Sequence, residues 1–333
     1  MLKLSVLDQS TAAEGVAEPQ AIRDTIELAR LCEDLGYHRF WVSEHHNHPT
    51  IVGTAPEIVM AAIAQSTERI RIGSAGVMLP HYAPYKVAEQ FRVLDAIAPG
   101  RIDLGLGRAP GSDGRTAMAL NPNGQQDAEH FPANVRDLIH WVRGEPLVDG
   151  HPYGTLVAHP QSETAPEIWM LGTSDYGARV AAHFGIPYCF AHFITDGGGV
   201  EYALKLYRSE YQPSPGYPEP KANICVWALA AETDAEAKRL FQTRAYSKLM
   251  RNRGRLQPLQ TPETAASHPY TESDRAFLDD LEKHALIGTP DRVADMLRAM
   301  AESAGVDEIV VLTWTHDQAD RRKSYELLAK EFT

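Results

Sequence analysis

The sequence predicts a single α/β domain of the (β/α)8 TIM-barrel class, residues 1–333, with an insertion between the seventh and eighth strands. Short apolar segments alternate with stretches of helical periodicity along the chain, and eight such strand–helix units can be counted. A chain of 333 residues is normal for one barrel with insertions. The alternative is an open, doubly wound sheet, which needs a glycine-rich phosphate loop after its first strand. The residues there, DQSTAAEG, contain no such loop.

The first four predicted strands are apolar runs at residues 3–8, 39–43, 69–79 and 101–107. Between them, apolar residues recur every three or four positions, which is typical of amphipathic helices. These helices are predicted at residues 18–37, 55–66 and 85–97. Gly36 and the Pro99-Gly100 pair mark the ends of the first and third helices, because neither residue type continues a helix well.

The pattern repeats in the second half of the chain. Strands are predicted at residues 167–172, 186–192, 223–230 and 307–314, and helices at 128–142, 175–184, 200–211, 234–250 and 317–330. Residues 109–126 are expected to be irregular. Residues 251–280 show neither a strand nor a regular apolar period. We therefore expect a mobile or partly disordered lid that closes over the barrel mouth when ligands bind, with a plain surface loop as the alternative.

The composition disfavours several classes of protein. A formal net charge of −12 disfavours nucleic acids and anionic membranes as partners, because both attract clustered positive charge. The three cysteines, Cys32, Cys189 and Cys225, are too few and too widely spaced for a disulfide framework, and they fit a reducing cytoplasm. The N-terminus MLKLSVLDQS is too short and polar for a signal peptide, and no apolar run approaches the roughly 20 residues of a membrane span. A soluble, cytoplasmic enzyme with small substrates is expected.

The stretch WVSEHHNHP follows the second predicted strand and therefore lies at the catalytic face of a barrel. If the strand continues, alternation places Glu44, His46 and His48 on one side. His45 then points to the other side. A His46–His48 pair is a reasonable metal chelator, although a catalytic metal site needs about three protein ligands. The other two interpretations are a structural polar loop, and a base or hydrogen-bond donor that faces an organic cofactor.

Residues at the ends of the fourth and fifth strands suggest a phosphate site. Arg108 is a candidate phosphate clamp, with a salt-bridged surface arginine as the alternative. Thr173 and Ser174 stand at the start of a helix, where free N–H groups attract phosphate. A simple helix cap is the alternative there. In the third strand, the run GSAG at residues 73–76 either admits a flat aromatic ring or relieves crowding between strands.

Together these segments resemble the bacterial luciferase-like flavin monooxygenase family. The resemblance rests on FWVSEHH, RIRIGSAGVMLPHYAPYKVAEQFRVLDAIAPGRIDLGLGRA, IWMLGTSDYGARVAAHFGIPYCFAHF and LIGTPDRVADMLRAMAESAGVDEIVVL. It covers nearly the whole chain except residues 109–127 and 251–280. It implies a TIM barrel that binds reduced FMN and uses O2 to oxygenate a small organic substrate, with reduced flavin supplied by a separate reductase. A homodimer is also expected.

The resemblance also implies roles for individual residues. His45 would lie near the flavin reaction centre and manage proton transfer, while Glu44 orients or charges its surroundings. Arg108 would bind the FMN phosphate together with Ser174 and the backbone of Thr173. Gly177 offers only its N–H group where the family has a hydroxyl.

Further residues are implied to contact the flavin ring. Ala75 and Gly76 would lie beneath it, joined by a non-proline cis peptide bond. Ala191 stands where the family has a flavin-contacting serine. Gly107 replaces the reactive cysteine of the light-emitting enzyme, so light emission is not expected. Three alternative functions stay open: a catalytically silent flavin-binding protein, a metal-dependent hydrolase that uses His46 and His48, and a deazaflavin-dependent hydride-transfer enzyme.

Overall fold

Eight parallel strands close into a barrel in the computed structural model, which describes residues 2–109, 111–196 and 198–332, apart from the side chains of residues 125 and 126. The strands in chain order are β1 (Lys3–Asp8), β2 (Arg39–Val42), β3 (Arg71–Met78), β4 (Ile102–Gly107), β5 (Glu167–Gly172), β6 (Tyr188–Ala191), β7 (Ala222–Ala230), β8 (Leu286–Gly288) and β9 (Glu308–Leu312). The barrel is formed by β1 to β7 and β9, and the pairing of β9 with β1 closes it. The short β8 adds to the end of β7. The predicted (β/α)8 class is therefore confirmed.

The helices that connect the strands begin and end where the sequence provides the right residues. They are α1 (Glu18–Asp34), α2 (Pro56–Ser66), α3 (Pro84–Ile97), α4 (Gly114–Leu120), α5 (Gly124–Glu129), α6 (Phe131–Arg143), α7 (Asp175–Phe184), α8 (His192–Thr195), α9 (Val200–Glu210), α10 (Asp234–Asn252), α11 (Pro262–Ala266), α12 (Glu272–Lys283), α13 (Pro290–Ala304) and α14 (Gln318–Phe332). Proline lies in the first turn of α2, α3 and α13, where its missing N–H group costs little. Gly185 and Gly305, both with left-handed backbone, end α7 and α13. None of the described helices is long and apolar enough to span a membrane.

Buried charges and aromatic rings fill the barrel from its N-terminal end. Arg39 is 1% exposed and pairs with Asp103 and Glu308, each at 2.7 Å. The rings of Trp41 and Trp169 pack inside the barrel with centroids 5.3 Å apart. The barrel is therefore a packed core rather than a pore, and its C-terminal mouth is the face at which loops can build a site.

The two sections that were expected to be irregular contain helices. Residues 109–126 include α4, which Asp113 caps by accepting hydrogen bonds from the backbone N–H groups of Arg115 and Thr116. The start of α5 also falls in this section. The expectation failed because a helix of seven residues is too short to show an apolar period.

The insertion after α10 is also folded. Thr271 forms a capping box at the start of α12, and Phe277 and Leu278 pack against a cluster of α10 and α11 residues. The irregular chain expected for residues 251–280 therefore contains two helices, α11 and α12, while the expected mobility of the segment stays a prediction. The apolar residues of α12 continue to the buried Leu281. The predicted segment ended at residue 280, so it cut off the last apolar position of this helix. Closure of this segment over the mouth stays a prediction.

Candidate active site

The predicted site residues all lie near the C-terminal ends of barrel strands, which meet at the mouth. Glu44 and His45 follow β2, and Arg108 follows β4. Thr173 and Ser174 follow β5, and Gly177 lies in the first turn of α7. Ala75 and Gly76 belong to β3, and Ala191 is the last residue of β6. The ends of β3 to β6 therefore gather the residues expected to bind a flavin. The histidines lie at the edge of this half of the mouth.

Arg108 is an exposed cation with no carboxylate partner among the residues that the structure describes. Its guanidinium carbon lies 3.9 Å from the centroid of the Tyr176 ring, which belongs to the first turn of α7. This stacking holds the positive charge beside the N-terminus of α7, where unpaired backbone N–H groups add partial positive charge. The alternative of a salt-bridged surface arginine does not describe Arg108.

Ser174 occupies the N-cap position of α7, but its hydroxyl makes no capping hydrogen bond. In contrast, Thr233 and Thr271 cap α10 and α12 by accepting from backbone N–H groups. Simple helix capping therefore does not account for Ser174, and its hydroxyl is available to a ligand. A Cβ atom added to Gly177 would lie 3.7 Å from the Cα atom of Gly172, so the first turn of α7 runs close to the end of β5.

Two glycines of β3 and β4 relieve crowding inside the barrel. A Cβ atom at Gly73 would lie 2.5 Å from the ring of Trp41, and one at Gly105 would lie 2.1 Å from the carbonyl oxygen of Ser74. Neither distance is sterically allowed. For Gly73, the crowding interpretation of the small-residue run is correct, and Gly105 of the neighbouring strand is small for the same reason.

Gly76 and Gly107 have a different environment. They face each other at the mouth, and a Cβ atom at either would meet nothing closer than 3.7 Å. Together they form a patch of backbone without side chains, the bare patch, which the partly exposed Ala75 borders. The expected cis bond between Ala75 and Gly76 is wrong, because the only cis peptide among the described residues is His159–Pro160. The strand bends instead through a bulge between Ser74 and Val77, with Gly76 at a φ of +100°.

Glu44 is buried and orients His46, not His45. Its Oε1 atom accepts hydrogen bonds from His46 Nε2 and from the Tyr82 hydroxyl, each at 2.7 Å. Its Oε2 atom accepts from the Met78 N–H group at 3.2 Å. Burial, followed by the charge of Glu44, raises the pKa of the Tyr82 hydroxyl well above its usual range, so Tyr82 remains a donor.

His45 is a neutral ring at the edge of the mouth. Its Nδ1 atom lies 3.3 Å from the carbonyl oxygen of Gly111, which can only accept, so Nδ1 carries the proton and Nε2 keeps its lone pair. Burial, followed by the neighbouring His48 and Arg251, lowers the pKa of His45 to about 4. The ring is therefore uncharged at neutral pH, with one free acceptor nitrogen.

Glu44 and His46 lie on one side as the alternation predicts, but the placement of His48 with them is wrong, because β2 ends at Val42 and the chain turns at Asn47, whose φ is +51°. His48 comes to lie beside His45, with ring centroids 5.7 Å apart. The Nδ1 atom of His48 accepts hydrogen bonds from two backbone N–H groups, while His46 pairs with Glu44. No group of three His, Cys, Asp or Glu side chains in the described ranges is placed to hold a metal ion. The geometry therefore gives the hydrolase interpretation no support.

A cavity of about 510 Å³ opens on the other half of the mouth. Its walls come from β7 and β9, from the loops after β1, β2 and β4, and from α8 and α10. They include His45, His48, Trp227, Trp314, Phe193 and Leu312. Two clefts of similar volume, about 500 and 520 Å³, open elsewhere, next to Tyr37 and Glu167 at the N-terminal ends of the strands. Because barrel enzymes place their chemistry at the C-terminal face, the cavity beside His45 is the candidate substrate site.

Sequence reasoning missed the contribution of α10 to this cavity. Arg244, Lys248 and Arg251 line it from successive turns of the helix. Their spacing of four and three residues in RAYSKLMR is visible in the sequence and indicates one face of a helix. Arg253, which follows on the same helix end, does not line the cavity and pairs with Asp274.

Comparison with known proteins is consistent with this geometry. Residues 2–308 match the family model described as luciferase-like monooxygenase. The N-acetyl-S-alkylcysteine monooxygenase of Bacillus subtilis (strain 168) is 36% identical over 330 residues, which cover 99% of this chain and 98% of that protein. The structure of apo-MsnO8 has a TM-score of 0.89 at 37% identity, covering 100% of this chain and 98% of that one. The oxygenating constituent of 3,6-diketocamphane monooxygenase from Pseudomonas putida, solved with FMN, shares the fold with a TM-score of 0.73 at 21% identity, covering 99% and 97%.

Proposed function

Because the chain belongs to the luciferase-like monooxygenase family, we propose that it is an FMN-dependent monooxygenase that uses reduced flavin and O2 to oxygenate a small organic substrate. One observation carries the proposal. Arg108 and the uncommitted hydroxyl of Ser174 lie at the N-terminus of α7, and the bare patch of Gly76 and Gly107 adjoins Arg108 along β4. A dianionic phosphate and a flat ring are the two chemical features that such a pair of surfaces fits.

The donors suit a phosphate. Arg108 offers several N–H donors in one plane, Ser174 offers a hydroxyl, and the backbone from Thr173 to Gly177 offers unpaired N–H groups at a helix N-terminus. The ring would lie over Ala75, Gly76 and Gly107, where side chains are absent or small. Ala191 would border it from the end of β6.

Bound reduced flavin supplies the activation of O2, and the residues of this chain shape the surroundings of that chemistry. His45 offers a free Nε2 acceptor on the cavity wall and is held by its bond to Gly111. Glu44 fixes His46 next to it, so the polar wall is rigid. Trp227 and Trp314 present apolar surface to the cavity, which favours an apolar substrate over water.

The supply of reduced flavin by a separate reductase, a homodimeric assembly and a cytoplasmic location are part of the proposal. The cytoplasmic location is supported by Cys32, Cys189 and Cys225, which are all buried and unpaired. For the substrate, the relative at 36% identity makes S-alkylated N-acetylcysteines the first compounds to test.

The proposal is tested with purified protein, FMN, a flavin reductase and NADH, by following O2 consumption and products over a panel that begins with these thioethers. We expect an oxygenated product that forms only when the protein is present. The control is the reductase with free FMN, which consumes O2 without oxygenating the substrate. FMN binding with no oxygenated product from the panel would instead favour a silent flavin-binding protein.

A further inference from the structure

One face of α10 gives the cavity a wall of positive charge, formed by Arg244, Lys248 and Arg251. The three side chains project from the same side of the helix because they are spaced four and three residues apart. Arg244 is 6% exposed, and its guanidinium carbon lies 4.6 Å from the centroid of the Trp227 ring. Arg244 is therefore built into the cavity and Lys248 is half-buried, whereas Arg251 is exposed.

The positive charge of the wall exceeds the negative charge near it. Asp196 pairs with both Arg244 and Lys248, so one carboxylate serves two cations. Arg251 has no carboxylate partner within the described ranges. The one carboxylate of the lining, Asp113, lies at the rim and accepts hydrogen bonds from α4 and Asn47. Three cations against two carboxylates leave one positive charge.

The pKa values of the groups in and near the wall are consistent with this excess of one positive charge. Burial lowers the pKa of Arg244 to about 9, and burial followed by the charge of Arg251 lowers the pKa of Lys248 to about 8. Loss of solvent is the first cause of both shifts, and the two groups share Asp196 as their carboxylate partner. Burial also lowers the pKa of His45 and of His192 to about 4, so neither ring adds a charge at neutral pH.

The rest of the cavity is largely apolar and aromatic. Phe193, Leu312 and two tryptophans line it, and the indole N–H groups of Trp227 and Trp314 are buried without a hydrogen-bond partner in the described structure. A ligand that fits these walls has an apolar body, with a polar head toward α10. A single excess charge matches a monoanion such as a carboxylate better than a doubly charged phosphate.

The cationic wall is separate from the proposed phosphate site at the N-terminus of α7. None of Arg108, Ser174 and Gly76 lines the cavity, whereas His45 and Phe193 do. This inference rests on the proposed function and deepens it. The flavin and the organic substrate bind in different parts of the barrel mouth. We propose that the organic substrate is a carboxylate with an apolar body, and that Arg244, Lys248 and Arg251 bind its carboxylate.

The test compares two probes that differ only in charge, 4-phenylbutyrate and 4-phenylbutyramide, by calorimetry on the full chain. We expect the acid to bind about tenfold more tightly than the amide, because charge-assisted hydrogen bonds are roughly twice as strong as neutral ones. Lys248→Met should weaken binding of the acid about tenfold and leave the amide unchanged. Arg251→Met, at an exposed position, is a second variant with little risk to folding.

The matched control is Lys238→Met, which removes the same charge from the same helix. Lys238 pairs with Glu282 and does not line the cavity. Equal affinity for acid and amide in the wild type would overturn the proposal. So would losses in Lys248→Met and Arg251→Met no larger than in the control.

FMN titrations of the same proteins separate this inference from the proposed function. We expect FMN affinity to be unchanged in Lys248→Met. An equal loss of FMN and acid affinity would assign the cationic wall to the flavin and overturn the inference. If the wild type binds the acid selectively but does not bind FMN, the proposed function fails and the carboxylate site stands.

Discussion

Arg108→Ala should weaken FMN binding about 10- to 100-fold while leaving riboflavin binding nearly unchanged. A charge-assisted hydrogen bond is worth roughly 1.5–3 kcal/mol, and 1.4 kcal/mol corresponds to tenfold in affinity. No described carboxylate competes for the guanidinium, so its full charge is available to a phosphate. Riboflavin lacks the phosphate and therefore gains little from Arg108. Both affinities can be measured by quenching of flavin fluorescence.

The fold should tolerate this substitution, because Arg108 is exposed and its main contact is the face of the Tyr176 ring. Arg179→Ala is the matched control: it removes an arginine from α7 itself, where Arg179 pairs with Glu210. We expect FMN affinity to be unaffected in the control. Equal losses of FMN and riboflavin affinity in Arg108→Ala, or an equal loss of FMN affinity in Arg179→Ala, would refute the assignment of the phosphate site.

Three further predictions follow from the mouth of the barrel. His45→Ala should fold and bind FMN but slow substrate oxygenation by about 10²- to 10⁴-fold in stopped-flow measurements, and an unchanged rate would make His45 a structural residue. The pKa values of His45 and His192 are lowered to about 4 in the folded protein, so the unfolded chain binds more protons between about pH 4 and 6.5. Stability should therefore fall as the pH falls through this window, and His45→Asn should show a shallower decline of Tm with pH than the wild type; identical slopes would contradict the lowered pKa. Trypsin should cut the exposed residues 251–256 first, and flavin with substrate should slow the cut if the segment closes as a lid; equal rates would make it a plain surface loop.

The sequence was sufficient for the barrel because each strand is a short apolar run and each connecting helix has its own apolar period. The sequence did not predict the role of a residue where that role depends on contact with a residue far away in the sequence. Gly73 and Gly76 look alike in the sequence, yet only the position of Trp41 shows that Gly73 relieves crowding. The pairing of Glu44 with His46 depended on where β2 ends, and strand ends are poorly marked in a polar stretch.

The same limit applies to the substrate half of the mouth. The spacing of Arg244, Lys248 and Arg251 was readable from the sequence, but which face of α10 points into the barrel was not. In α12, the apolar residues are few and lie in its second half, so the sequence shows little helical period there, and the contacts with α10 define the helix instead. Local patterns therefore predict elements, while the division of roles within the site comes from packing.

The most direct test of the central claim is the origin of the oxygen atom in the product. The reaction should be run with reduced FMN and the best substrate of the panel under heavy-isotope O2 in ordinary water, and the product analysed by mass spectrometry. Monooxygenation predicts one labelled oxygen atom per product molecule, and none when the label is in the water instead. A product that takes its oxygen from water, or one that gains no oxygen at all, would contradict the account.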